Sequence, residues 1–234
     1  MTQLVRSHIR SIDDLHGSAG RLEAVLNTGH PDATFAALVC HPHPLGGGTL
    51  HNKVVYHTMK AFSSLGIPVL RFNFRGVGLS DGSFDHGRGE LDDAHVAVDW
   101  LNKNLKLPIL VAGFSFGSFV GMQAGCGDPR VPGLIGLGVP FLAEDRSYSY
   151  EFLEYCAQPK LFICGAEDQF GPRDAVEPML RRAADPKRMI WIEGAEHFFQ
   201  GTPSSPGPKL NQMQSQILDW LHETFALNNK GDEV

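Results

Sequence analysis

Cysteine is scarce in this 234-residue chain, and its four copies, Cys40, Cys126, Cys156 and Cys164, lack the paired spacing of a metal finger or a dithiol motif. Reduced thiols of a cytoplasmic protein are therefore expected rather than a disulfide framework. No apolar run approaches 20 residues, and Met1 to Arg10 does not show the order of a secretory signal. Neither a membrane partner nor an export leader is expected. Basic excess is missing too, since 20 Lys and Arg stand against 26 Asp and Glu, a net charge of −6. That balance offers no electrostatic footprint for nucleic acid. No low-complexity linker divides the sequence, so one domain over 1–234 is expected, with nothing to fix its oligomeric state.

Glycine, by contrast, is plentiful at 26 residues. Two of them frame Ser115 in Gly113-Phe-Ser-Phe-Gly117, a G-x-S-x-G pattern that composition alone would produce only about 0.17 times in a chain like this. Its position is more telling than its occurrence. The apolar run Pro108 to Ala112 precedes it and a Gly- and Ala-rich helical stretch follows. A serine there sits on a sharp strand-to-helix turn, where flanking glycines let backbones approach. The competing reading is a glycine-rich turn with a bystander serine.

Elsewhere strands and helices alternate. Strands are predicted near residues 34 to 40, 68 to 74, 108 to 114, 133 to 139, 160 to 164 and 188 to 193, and helices near 51 to 64, 90 to 104, 116 to 126, 174 to 184 and 209 to 226. Leu4 to Arg10 and Arg21 to Leu26 read as an antiparallel edge. The pattern predicts an α/β fold, a mainly parallel, doubly wound sheet of about eight strands with helices on both faces. Ligands of such sheets bind beyond the carboxyl ends of the strands.

Several segments lie at those ends. Phe35 to Cys40 runs into His41-Pro-His-Pro-Leu-Gly-Gly-Gly48. Pro68 to Phe74 runs into Arg75-Gly-Val-Gly-Leu-Ser80. Lys160-Leu-Phe-Ile-Cys-Gly-Ala-Glu-Asp168 opens into a loop through Gly165, and Met189-Ile-Trp-Ile-Glu-Gly-Ala-Glu-His197 ends at a loop histidine. His41 and His43 could also be read as an H-x-H metal pair, but no third ligand lies at a convincing spacing, so no metal or other cofactor is expected. Arg75 and Ser80 are expected to brace loops.

Together these segments resemble the α/β-hydrolase superfamily, in particular small bacterial hydrolases with an H-P-H-P-x-G-G loop, relatives of the dienelactone-hydrolase-like branch. The match covers most of the chain. It departs in two places, with serine where dienelactone hydrolases carry cysteine and His-Pro where His-Gly is more frequent. The resemblance implies an α/β-hydrolase fold and a Ser, acid, His order. Ser115 would be the nucleophile and His197 the base, because the other downstream histidine, His222, falls on an amphipathic terminal helix. The acid would be Asp168, with Glu167 and then Asp174 as alternatives. The oxyanion donors would be the amides of Phe116 and of Leu45, with Gly46 the alternative to Leu45.

Only about 20 residues, Pro140 to Gln158, stand where the superfamily inserts a cap, so a minimal cap is expected. Its aromatics, Phe141, Tyr148 and Phe152 foremost, either wall a substrate pocket or pack a short helix on the body. The implied activity is a carboxylesterase-type serine hydrolysis of small-molecule esters, most simply short-chain ones, through an acyl-enzyme. A peptidase, a thioesterase or a catalytically silent binding protein are the alternatives.

Overall fold

Runs such as Ala36-Ala-Leu-Val-Cys40 and Ile109-Leu-Val-Ala-Gly-Phe114 are buried along their whole length, the pattern of strands covered on both faces. In the computed structural model, which describes residues 8–143 and 146–227, they form the middle of an eight-stranded sheet. Its strands are β1 (Ile9–Ile12), β2 (Ala24–Asn27), β3 (Ala36–Cys40), β4 (Val69–Phe72), β5 (Ile109–Phe114), β6 (Gly133–Leu137), β7 (Lys160–Gly165) and β8 (Lys187–Ile192). Their spatial order is β1-β2-β4-β3-β5-β6-β7-β8. β2 runs antiparallel to both neighbours and every other pairing is parallel.

Register brings the carboxyl ends to one edge, with Cys40 opposite Gly113, Phe114 opposite Leu137 and Gly165 opposite Ile192. The loops that follow these residues therefore converge above the middle of the sheet. Helices α1 (Lys53–Ser64) and α5 (Leu210–Phe225) pack on one face through Phe62, Met213 and Trp220. On the other face lie α2 (Arg88–Leu105), α3 (Phe116–Gly125) and α4 (Arg173–Arg181), burying residues such as Val98, Val120 and Val176.

The expected alternation is thus present, with shifts at element ends. α1 starts two residues later than predicted because the Asn52 side chain caps it, accepting the Val54 N–H at 2.9 Å. The first strand lies at Ile9–Ile12, and the earlier part of the predicted Leu4 to Arg10 falls outside the described residues. A hairpin of His16–Gly17 with Gly20–Arg21 went unpredicted, since two-residue strands carry no readable period.

The segment between β6 and β7 is short. It makes a small hairpin, Leu142–Ala143 with Arg146–Ser147, and a single 3₁₀ turn at Glu151–Tyr155. Tyr148, Tyr150 and Phe152 gather edge-on around Phe119 of α3, with ring centroids 5.4, 5.4 and 6.0 Å away.

Candidate active site

Ser115 occupies the turn between β5 and α3 with φ 55° and ψ −124°, a left-handed conformation that costs a non-glycine residue about 1–3 kcal/mol. Close packing enforces it. A Cβ on Gly113 would lie 2.0 Å from the Gly117 carbonyl oxygen, and one on Gly117 would lie 2.4 Å from that of His41. The Ser115 amide donates to the Leu137 carbonyl at 2.9 Å, and the Ser115 carbonyl accepts from Ser118 Oγ at 2.6 Å. Ser118 in turn bonds the buried Tyr150 hydroxyl at 3.0 Å, so the segment after β6 is tied to the turn.

His197, in the loop after β8, reaches this turn from across the sheet edge. Its Nε2 lies 2.9 Å from Ser115 Oγ and its Nδ1 lies 2.7 Å from Asp168 Oδ2. All three residues are buried. The other carboxylate oxygen, Asp168 Oδ1, accepts the backbone N–H groups of Phe170 at 2.8 Å and Gly171 at 3.2 Å. With Asp168 accepting, the imidazole carries its proton on Nδ1 and presents the Nε2 lone pair to the serine hydroxyl. Phe114, Phe170 and Phe198 pack on the imidazole at centroid distances of 4.9, 4.7 and 5.2 Å.

Opposite stands the loop after β3. His41 is buried, bonding the Pro42 carbonyl through Nδ1 at 2.7 Å and accepting the Phe74 N–H on Nε2 at 2.9 Å. Burial pulls its pKa down to about 4. Both ring nitrogens thus serve the backbone, a structural use rather than a ligand's. Between this loop and the loops after β6, β7 and β8 lies a cavity of about 70 Å³ at Ser115, bordered by His43, Gly46, Ala143, Tyr148, Phe170 and Phe198.

A family model for the alpha/beta hydrolase domain matches residues 36–224. The chain belongs to this family. An uncharacterised protein of Rickettsia prowazekii is 37% identical over 221 residues, covering 91% of this chain and 92% of its own. The hydrolase also superposes on an alpha-beta serine hydrolase homologue from Coxiella burnetii at TM-score 0.78 and 31% identity, covering 92% of this chain and 97% of that one. It superposes as well on an α/β serine hydrolase without a lid from Xanthomonas campestris, at TM-score 0.76 and 30% identity over 94% and 95% of the two chains. The family makes this protein an enzyme of the hydrolase kind acting on a small molecule. Among the described residues no helix is long and apolar enough to cross a membrane.

Of the residues singled out from the sequence, the hydrolase brings Ser115, Asp168 and His197 into one hydrogen-bonded chain. The alternatives lie outside it: Glu167 and Asp174 are exposed, as is His222 on α5. The Leu45 amide does not point at the cavity but donates to His43 Nδ1 at 3.2 Å, a turn that the sequence could not disclose. Those of Gly46 and Gly48 donate to the His43 carbonyl, at 3.1 and 3.0 Å. Tyr148 borders the cavity, whereas Phe152 packs on Phe119 and Phe141 is not among the lining residues and is exposed.

Arg75 makes a paired ion contact with buried Asp93 at 2.7 Å, and Ser80 Oγ donates to the Asn73 carbonyl at 2.7 Å while accepting the Glu23 amide. Sequence reasoning missed Phe170 and Phe198, which border the site, and Ser118, which braces it. Their proximity arises only when loops from different strands meet.

Proposed function

We propose that this hydrolase is a carboxylesterase of small, short-acyl esters that works through a Ser115 acyl-enzyme. The observation that carries the reading is the unbroken hydrogen-bonded chain from Ser115 Oγ through His197 to Asp168. A serine hydroxyl is a weak nucleophile until a positioned base takes its proton. His197 Nε2 takes that proton as Oγ attacks the ester carbonyl, and Asp168, fixed by two amides, holds the tautomer and offsets the positive charge of the imidazolium. The proton then passes from Nε2 to the departing alcohol oxygen. Water repeats the sequence on the acyl-enzyme and releases the acid.

The tetrahedral oxyanion needs two donors. Phe116 supplies one, since the first amide of a helix has no acceptor within its own helix. The second comes from the backbone of the loop after β3. Within that loop the Leu45 amide is turned to the His43 imidazole.

Ester rather than peptide is favoured by the lining, in which no Asp, Glu, Lys or Arg side chain stands ready for a charged terminus. Size points to short acyl groups, because the space at Ser115 is small, about 70 Å³, and walled by Tyr148, Phe170 and Phe198. A fluorophosphonate probe should label Ser115 in the folded protein, and p-nitrophenyl acetate or propionate should outpace the octanoate ester. An unlabelled Ser115 would favour a silent binding protein instead, and faster turnover of a thioester or aminoacyl amide would move the assignment to those classes.

A further inference from the structure

Most backbone donors around the cavity at Ser115 are already spent within the protein. On the side of the loop after β3, Gly46 and Gly48 give their amides to the His43 carbonyl and Gly47 gives its own to that of Pro44. Across the cavity, the amides of Phe170 and Phe198 go to the carboxylates of Asp168 and Glu196. Asn52, which borders the same cavity, is different. Its amide donates to the Thr49 carbonyl, its carbonyl accepts from Tyr56, and its Oδ1 accepts the Val54 N–H at 2.9 Å as the cap of α1. Among the described residues nothing accepts from its Nδ2.

The cap decides which end of the carboxamide is which, because a flipped group would set N–H against the Val54 N–H. Nδ2 thus keeps two N–H bonds for water or for a bound molecule. No Asp, Glu, Lys or Arg side chain borders this space, so the acceptor that suits it is an uncharged oxygen. If Ser115 is the nucleophile, the reading on which this inference rests, the ester itself occupies the cavity. We infer that Asn52 Nδ2 is a specificity-determining donor, and that the preferred substrates are short esters with a second, uncharged oxygen, as ether, ketone or hydroxyl, within a few bonds of the scissile carbonyl. The 70 Å³ of space keeps that oxygen close. A plain alkyl ester sets a methylene against Nδ2 and forfeits one hydrogen bond.

Pairs of esters in which one oxygen replaces one methylene test this. Ethyl methoxyacetate is compared with ethyl butanoate, and 2-methoxyethyl acetate with butyl acetate. Intrinsic reactivity differs within a pair, so the quantity read is the ratio of the two kcat/KM values in the wild type against the same ratio in a variant. Asn52→Asp and Asn52→Ser both keep an oxygen for the Val54 N–H and both remove the donor. Each should lower the ratio about three- to tenfold in at least one pair, the worth of one hydrogen bond at a half-buried group, and chiefly through KM. The pair that responds shows on which side of the ester the oxygen lies.

Ratios within twofold of wild type in both pairs and both variants would overturn the inference while leaving an esterase. With rates preserved, Asn52 would be a helix cap only; with rates lowered alike, it would serve the oxyanion that every ester shares. Failure to hydrolyse any of the four esters, with Ser115 unlabelled by a fluorophosphonate, would instead remove the underlying esterase reading.

Discussion

His41 Nε2 accepts the Phe74 amide while its Nδ1–H donates to the Pro42 carbonyl, so one neutral imidazole joins the loop after β3 to the loop after β4. Protonating Nε2 would set N–H against N–H. Burial, which disfavours the charged imidazolium, holds this histidine neutral down to about pH 4 in the folded state, against an ordinary value of 6.5. A depressed folded pKa means that the unfolded chain binds the extra proton first. Stability is then fully present above pH 6.5 and lost as pH falls toward 4, by about 3 kcal/mol from this residue. Urea unfolding across that window should show the slope, and His41→Asn should flatten it. Equal slopes in both proteins would show that His41 is not the group responsible.

Ser115→Ala should lower ester turnover by about 10⁴-fold or more, and His197→Ala by a similar factor, because residues that act as a unit fail together. The double variant should therefore be scarcely worse than either single one. Asp168→Asn should keep the fold but present the wrong tautomer, cutting kcat more than it alters KM. Retention of more than about a tenth of wild-type turnover by Ser115→Ala would dismiss it as nucleophile.

Gly117 and Gly127 make a matched pair. An alanine at Gly127 meets open space and pays only for its left-handed backbone, φ 78°, about 1–2 kcal/mol. At Gly117 the added carbon would press on the carbonyls of His41 and Cys40 at 2.4 and 2.5 Å. Gly117→Ala should cost about 3 kcal/mol or more, in the upper range of single-site losses. Thermal melts that rank the two variants the other way would mean the backbones at this crossing can part.

Asp93→Ala should be similarly damaging for a different reason. Arg75 donates to Asp93 from its backbone amide, Nε and Nη2, and removal of the carboxylate strands a buried guanidinium at a cost of about 3–5 kcal/mol. A loss below about 1 kcal/mol in denaturant unfolding would show that water reaches Arg75 and that the pair is not truly enclosed.

The alternation of strands and helices, the mainly parallel sheet and the loop positions of Ser115, Asp168 and His197 just past strand ends were approachable from the sequence because each depends on a local signal. Apolar runs ending in glycine or a polar loop mark where a parallel strand delivers its last residue, and parallel register then gathers those residues at one edge. What local signals do not encode is where a loop turns its amides. Leu45 illustrates this, since only the folded His43 imidazole captures its N–H. The aromatics of the segment after β6 were equally ambiguous. Tyr148 reaches the cavity and Phe152 packs on Phe119, a division that alternation within an irregular segment could not predict.

Phe170 carries three duties at once. Its amide holds Asp168, its carbonyl holds Phe141 and Leu142, and its ring borders both the imidazole and the cavity. The Asp168 carboxylate, the segment after β6 and the wall of the cavity therefore all depend on one residue, and any replacement there acts on the three together.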